Sequence, residues 1–261
     1  MAFADEFDGF LIDLDGVVWV GRELVPGSAE ALRALLESGK EIVFVTNNPG
    51  RPPATYVERL REAGVPVGDD RVVTAGVATA RLAAEVVGVG STAFAIGAAA
   101  FHETVVEAGL RLLEGEDGRG AEAVLVSGHR GFDYEELLTA TLALQAGAKL
   151  FATSHDPTLP MPGGAWPGTG SILAAVETAS GARAEIGGKP ERHLFDQARA
   201  LLGDAERVAM VGDRISSDIE GGRRAGLATI LVLSGASSRE QAAAADPAPD
   251  LVLDDLAGLL R

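Results

Sequence analysis

Cysteine is absent from this chain of 261 residues, and long apolar runs are absent as well. Without a thiol there is no disulfide framework, no thiolate zinc site and no cysteine nucleophile. No apolar run approaches the roughly 18 residues that a membrane-spanning helix needs. The first residues, MAFADEFDGF, are acidic and lack the basic segment that begins a secretory signal. We therefore expect a soluble, cytoplasmic protein.

Basic residues are scarce, because 22 Lys and Arg stand against 38 Asp and Glu, a formal net charge of −16. Such a surface repels polyanions, so we expect neither nucleic acid nor a membrane as a partner. The four histidines lack the spacing of metal ligands, which argues against a histidine zinc site. Hydrophobic residues make up 47% of the chain, which suffices for one large domain or two smaller ones.

Short apolar runs alternate with segments of helical period. Runs typical of strands include GFLID, EIVFVT (41–46), AVLVSG (123–128), KLFAT (149–153), RVAMVG (207–212), TILVL (229–233) and LVLD (251–254). This alternation predicts parallel strands joined by crossover helices, and therefore the α/β fold class. Ser28 is predicted to be the N-cap of a helix that ends near Gly39.

Polar side chains follow several of these predicted strands or precede a helix. They are Asp13, Asp15, Thr46, Asn47, Lys189, Asp213 and Asp218. Ligands of open parallel sheets bind at the carboxyl ends of strands, so we expect these groups to converge. Two carboxylates about 4 Å apart repel by roughly 4 kcal/mol at an effective dielectric near 20, so the cluster needs a cation. Mg²⁺, a lysine and a hydroxyl beside carboxylates predict a phosphoryl-transfer site.

Four motifs resemble those of the haloacid dehalogenase (HAD) superfamily: DLDGVVW (13–19), VTNN (45–48), GGKP (187–190) and VGDRISSDI (211–219). The neighbouring stretches TNNPGR, ATSHDPTLP and PGTGS are similar to its NagD-like class IIA branch, which includes p-nitrophenyl, phosphoglycolate and glycerol-3-phosphate phosphatases. The resemblance implies a Rossmann-like, parallel-sheet catalytic core at 1–77 and 181–261. It also implies an inserted α/β cap domain at 78–180, of a kind that often supports homodimers.

The same resemblance implies Mg²⁺-dependent hydrolysis of a small phosphomonoester metabolite. Asp13 would be the nucleophile that forms an aspartyl-phosphate, and Asp15 the general acid and base. The implied metal ligands are Asp13, Asp15 (through its carbonyl), Asp213 and Asp218. The implied ligands of the phosphoryl oxygens are Thr46, Asn47 and Lys189. Dehalogenases and phosphonatases of the superfamily lack the second acid, so Asp15 favours a phosphatase or a phosphotransferase.

Two places in the predicted cap depart from the pattern of the branch. Ser154 and His155 stand where relatives commonly carry TN, so His155 or Asp156 is predicted to face the leaving group, or else His155 is a loop histidine in solvent. Arg130 either meets an anionic leaving group or is a surface arginine. Two other functions remain open: a phosphotransferase that passes phosphate to an alcohol, and a non-catalytic phosphate-binding regulatory protein on the same fold.

Overall fold

The computed structural model describes residues 2–161 and 164–261, and the chain divides into two compact units. The first unit comprises Met1–Thr46, Pro53–Val73 and Lys189–Arg261, and the second comprises Asn47–Pro52 and Thr74–Gly188. None of the helices formed by the described residues is long and apolar enough to cross a membrane.

The chain begins with the central strand of the first unit. Its elements are β1 (Gly9–Asp13), β2 (Trp19–Val20), β3 (Glu23–Leu24), α1 (Ser28–Glu37), β4 (Glu41–Thr46), α2 (Pro53–Glu62) and β5 (Val72–Thr74). Every residue of β1 is buried, as expected for a strand with parallel neighbours on both sides. β2 and β3 form a short antiparallel hairpin directly after β1.

The second unit contains its own sheet. Its elements are α3 (Ala75–Val87), β6 (Thr92–Ile96), α4 (Ala99–Glu107), β7 (Arg111–Leu112), β8 (Ala123–Val126), α5 (Tyr134–Gln145), β9 (Lys149–Ala152), β10 (Thr158–Met161), β11 (Gly164–Pro167), α6 (Thr169–Ser180) and β12 (Glu185–Ile186). Five of these strands form a parallel sheet in the order β12-β9-β8-β6-β7, and β10 pairs with β11 as an antiparallel hairpin.

The chain then returns to the first unit. The remaining elements are α7 (Arg192–Ala200), β13 (Val208–Gly212), α8 (Glu220–Arg224), β14 (Ala228–Val232), α9 (Arg239–Ala244) and β15 (Leu251–Leu253). The sheet has the order β15-β14-β13-β1-β4-β5. Because β1 lies parallel between β13 and β4, the carboxyl ends of these three strands meet at one edge.

The predicted α/β class with parallel sheets is confirmed by this topology. The predicted cap of Ser28 is wrong: Gly27, with φ 80°, precedes the helix, and the Ser28 hydroxyl donates to the Val18 carbonyl. The domain boundaries at 77/78 and 180/181 stay a prediction, because a compact unit need not be a domain that folds independently.

Candidate active site

Three strands of the first unit bring polar residues to the same edge of the sheet. Asp13 is the last residue of β1, Thr46 is the last residue of β4, and Asp213 directly follows β13. Asp13 is paired in register with Val45, the residue before Thr46. The parallel arrangement therefore places groups that are far apart in the sequence at adjacent strand ends, as the sequence predicted.

A cluster of three buried carboxylates forms at this edge, and we call Asp13, Asp213 and Asp218 the acidic cluster. One carboxylate oxygen from each lies within 4.8 Å of the other two. Asp218 reaches the cluster from a π-helical turn, Ile215–Ile219, where its Oδ2 accepts a hydrogen bond from the Arg214 amide at 3.0 Å. A single wide turn thus brings the second acid of the motif back beside the first.

Lys189 is the counter-charge of the acidic cluster. Its ammonium donates to Oδ1 of Asp13 and, at 2.7 Å, to Oδ1 of Asp218. The side chain of Lys189 is only 3% exposed, and those of Asp13 and Asp218 are 8% and 1% exposed. Such charge-assisted hydrogen bonds hold the lysine in a fixed place, because a buried ammonium has no alternative partner in water.

Burial and mutual repulsion shift the pKa values of the charged groups at the site. Burial raises the pKa of the Asp13 carboxyl well above its ordinary value; the ammonium of Lys189 opposes this shift, and the negative charges of Asp218 and Asp213 add to it. Burial, followed by repulsion from Asp218, also raises the pKa of Asp213. Burial lowers the pKa of Lys189, but the facing carboxylates of Asp13 and Asp218 raise it more, so the lysine stays protonated.

Mg²⁺ fits this set of side chains. With all three carboxylates ionised, their negative charge exceeds that of the Lys189 ammonium by two, which is the charge that a divalent cation carries. The donors are hard oxygen atoms, as Mg²⁺ prefers, and a cation beside them would reverse the upward shifts of the carboxyl pKa values. Asp13, Asp213 and Asp218 are therefore the residues that would hold the metal.

Asp213 lies in a close-fitting backbone cradle. Its Oδ2 accepts a hydrogen bond from the Ala236 amide at 2.6 Å, and a Cβ built on Gly235 would lie 2.0 Å from the same oxygen. Gly16, at φ 93°, approaches equally closely, since its Cβ would lie 2.2 Å from this oxygen. Sequence reasoning missed residues 234–237, although this segment also follows a strand end, that of β14.

Residues 10–111 match the family described as haloacid dehalogenase-like hydrolase, and residues 186–259 match the family described as HAD-hydrolase-like. A D-glycerol 3-phosphate phosphatase of Mycobacterium tuberculosis is 36% identical over 260 residues, which cover 99% of this chain and 72% of the relative. A 5′-nucleotidase of Bacillus subtilis is 33% identical over 235 residues, 90% of each chain. The chain belongs to the haloacid dehalogenase-like hydrolases.

Solved structures of HAD-like hydrolases have the same fold. The glycerol phosphate phosphatase of Mycobacterium tuberculosis, crystallised in complex with magnesium, superposes with a TM-score of 0.91 at 35% identity. The match covers 100% of this chain and 78% of that one. The family and the Rossmann-like fold predicted from the four motifs are therefore confirmed.

The remaining predicted residues of this HAD-like hydrolase lie in different surroundings. The exposed Asp15 is directed toward Trp19, whose indole N–H donates to its Oδ1 at 3.0 Å, and it is not a member of the acidic cluster. Thr46 is buried at the end of β4, whereas Asn47 belongs to the second unit. The fold thus brings Asp13, Asp213, Asp218 and Lys189 into direct proximity and leaves the Asp15 carboxylate to one side.

The three predicted specificity residues all lie in the second unit. The guanidinium of Arg130 lies 4.3 Å from the ring centroid of Trp166, a cation–π contact that accounts for its conformation on an exposed surface. His155 and Asp156 are exposed, and the amide of Asp156 donates to the Ser154 hydroxyl at 2.8 Å. Their role in recognising a leaving group stays a prediction.

The cradle around Asp213 leads to a test of the metal site. Gly235→Ala is expected to weaken Mg²⁺ binding by at least about tenfold, because the new methyl group displaces the Asp213 carboxylate from the cluster. Calorimetric titration of the purified protein with Mg²⁺ measures the change. Gly120→Ala is the matched control, since its Cβ would have no heavy atom within 4 Å. Equal affinities of the two variants would contradict the assignment of Asp213 as a ligand.

Proposed function

We propose that this protein is a Mg²⁺-dependent phosphoric monoester hydrolase that acts on a small phosphorylated metabolite. The observation that carries the proposal is the acidic cluster closed by the buried ammonium of Lys189. A cation held by such a cluster, together with a fixed lysine, forms an electrostatic site for a dianionic phosphoryl group. Membership of the family and the magnesium-bound relative support the same class of reaction and the same cofactor.

The reaction divides into two steps at Asp13. Its carboxylate attacks phosphorus, the bond to the alcohol oxygen breaks, and Asp15 donates a proton to the departing oxygen. Asp15, now ionised, then removes a proton from water, which attacks the aspartyl-phosphate and releases inorganic phosphate. Asp13 and the proton on Asp15 are thereby regenerated. Mg²⁺ supplies electrostatic stabilisation of the phosphoryl oxygens when it is bound.

The proposal assigns the remaining site residues as the motifs imply. Mg²⁺ would be held by the side chain of Asp13, the carbonyl of Asp15 and the carboxylate of Asp213, with Asp218 as the last acid of the metal site. The phosphoryl oxygens are held by Thr46, Asn47 and Lys189. In this assignment the ammonium of Lys189 neutralises Asp13 in the resting enzyme and an oxygen of phosphate in the complex.

Substrate choice is assigned to the second unit. Residues 78–180 are proposed to act as the cap, with 1–77 and 181–261 as the catalytic core, and His155, Asp156 and Arg130 to face the leaving group. The relatives named above act on different compounds, a glycerol phosphate and a 5′-nucleotide, so the proposed substrate is a phosphomonoester class. A homodimer formed through the cap and a cytoplasmic location complete the proposal.

Hydrolysis of p-nitrophenyl phosphate with Mg²⁺ and with EDTA tests the function. Chelation is expected to lower the rate of nitrophenol release by at least about a hundredfold, because the cluster then repels the phosphoryl dianion. Excess Mg²⁺ added after EDTA is expected to restore the rate, which shows that chelation has not unfolded the protein. A rate that EDTA leaves unchanged would exclude the metal-dependent reaction, and no release in any condition would favour a non-catalytic protein.

The same assay separates hydrolysis from phosphoryl transfer. In the presence of glycerol as an acceptor, a hydrolase releases inorganic phosphate in the same amount as nitrophenol. A phosphotransferase releases less phosphate than nitrophenol, because the missing phosphate is carried by the glycerol. Measuring both products in one reaction therefore decides between these two alternatives.

A further inference from the structure

Trp19 is a buried tryptophan whose polar atom is directed at the proposed acid and base. Its side chain is 0% exposed, and its indole N–H donates to Oδ1 of Asp15 at 3.0 Å. A buried N–H needs an acceptor, and the structure supplies one from an exposed carboxylate. The pairing has two explanations: the carboxylate satisfies the indole, or the indole orients the carboxylate.

The backbone between the two residues is closely folded. The amide of Gly16 donates to the carbonyl of Trp19 at 2.7 Å, and the amide of Val18 donates to the carbonyl of Leu14 at 2.9 Å. Asp15 and Trp19 also form an isolated β-bridge. The turn after β1 therefore places the backbones of Asp15 and Trp19 side by side, which brings the indole within hydrogen-bonding reach of the carboxylate.

The face of the indole ring is fixed as well. The guanidinium of Arg59, from α2, lies 3.9 Å from the ring centroid, and its Nη2 donates to the carbonyl of Gly21 at 2.8 Å. This cation–π contact and the surrounding core leave Trp19 in one rotamer. A buried, packed donor is suited to orienting a less restrained acceptor, and the exposed Asp15 side chain is that acceptor.

We propose that Trp19 is a positioning residue that holds the Asp15 carboxyl group in the orientation for proton transfer. The inference rests on the proposed function, in which Asp15 protonates the leaving oxygen. An indole N–H only donates, so Oδ1 accepts from Trp19 and Oδ2 is the oxygen that exchanges the proton. Trp19 does not touch the substrate in this role; it acts through Asp15.

The leaving group of the substrate decides how much the orientation of Asp15 matters. A poor leaving group needs its oxygen protonated as the bond to phosphorus breaks, whereas a good one departs as the anion. Losing the orientation of Asp15 therefore lowers kcat/KM more for a substrate with a poor leaving group than for one with a good leaving group. If Trp19 were only a structural residue of the core, its replacement would lower kcat/KM equally for both substrates. Any distortion of the acidic cluster affects the attack on phosphorus in the same way for each of them.

The experiment compares phenyl phosphate with p-nitrophenyl phosphate, which differ mainly in leaving-group acidity; phenol itself has a pKa of about 10. We compare kcat/KM for the two substrates at saturating Mg²⁺, because kcat/KM includes only the steps up to and including release of the phenol. In Trp19→Phe we expect kcat/KM for phenyl phosphate to fall about tenfold more than for p-nitrophenyl phosphate.

Two further variants keep the test decisive. Trp19 replaced by benzothienylalanine, which has sulfur in place of the N–H, preserves ring shape and must show the same selective loss even if Trp19→Phe folds poorly. Phe10→Leu perturbs a fully buried aromatic of the same core and is expected to change both substrates by one factor. Equal losses, or none, with the two substrates in the benzothienylalanine protein would overturn the inference. A wild-type protein inactive on both would overturn the proposed function itself.

Discussion

Asp13→Asn is expected to abolish Mg²⁺-dependent turnover, with kcat lowered by a factor on the order of 10⁴ or more. An amide oxygen does not displace the alcohol from phosphorus, so the covalent step has no nucleophile. The fold is expected to remain, because asparagine has the shape of aspartate, its amide oxygen can still accept from Lys189, and Asp218 still pairs with that ammonium. Release of phosphate from p-nitrophenyl phosphate measures the activity, and urea unfolding in EDTA measures the free energy of unfolding.

The matched control for this change is Asp8→Asn, a carboxylate on the same chain segment that pairs with Arg207 at the surface. It is expected to retain wild-type kcat. Rapidly quenched samples examined by mass spectrometry provide the second readout, since the wild type carries a phosphoryl group on Asp13 and the variant carries none. More than a trace of turnover in Asp13→Asn would exclude an aspartyl-phosphate at this position.

Lys189→Met is expected to lower both activity and stability. Methionine retains the unbranched shape of the side chain but leaves Asp13 and Asp218 without their buried counter-charge. Removing one partner of a buried ion pair costs about 3–5 kcal/mol, and we expect a loss of this order in the free energy of unfolding in EDTA. We expect Mg²⁺ to recover part of that loss, since the cation binds the folded cluster and supplies positive charge there.

Urea unfolding of Lys189→Met with EDTA and with Mg²⁺ measures the loss of stability and its recovery, and nitrophenol release from p-nitrophenyl phosphate measures the activity. Lys149→Met is the control, because Lys149 is an exposed lysine at the start of β9 and its removal is expected to change none of these quantities. A Lys189→Met protein as stable as wild type in EDTA would show that the ammonium contributes nothing net to the cluster. If Mg²⁺ left the stability of Lys189→Met unchanged, that result would count against a divalent cation at the acidic cluster.

Local patterns in the sequence were sufficient to predict the strands that carry the site. GFLID, EIVFVT and RVAMVG are apolar runs between turn residues, and they form β1, β4 and β13. Parallel strands buried on both faces have this continuous pattern, so the runs identify the class of sheet as well as the strands. The helix N-cap of α1 was predicted wrongly because the Ser28 hydroxyl donates to the carbonyl of Val18, ten residues earlier. The sequence around Ser28 gives no sign of this contact.

Sequence also predicted that Asp13, Asp213, Asp218 and Lys189 converge, because the carboxyl ends of parallel strands meet at one edge of the sheet. It wrongly placed the Asp15 carboxylate in the same cluster. It did not show the part played by Trp19. DLDGVVW contains the residue, but an aromatic after a strand is usually part of a core, and only the folded turn directs its N–H at Asp15. The segment 234–237 was missed for the same reason, since its glycine matters only through the approach of Asp213.

The amino-acid sequence by itself determined the α/β class, the family and the identity of the charged groups at the site, since these follow from local periodicity and from short motifs. Only the tertiary structure decided which of these charged groups share the buried cluster and which one lies apart from it. It placed Asp13, Asp213 and Asp218 around one buried ammonium and turned Asp15 toward an indole. The physical reason is that burial and charge compensation depend on atoms contributed by segments more than 200 residues apart, which no local pattern records.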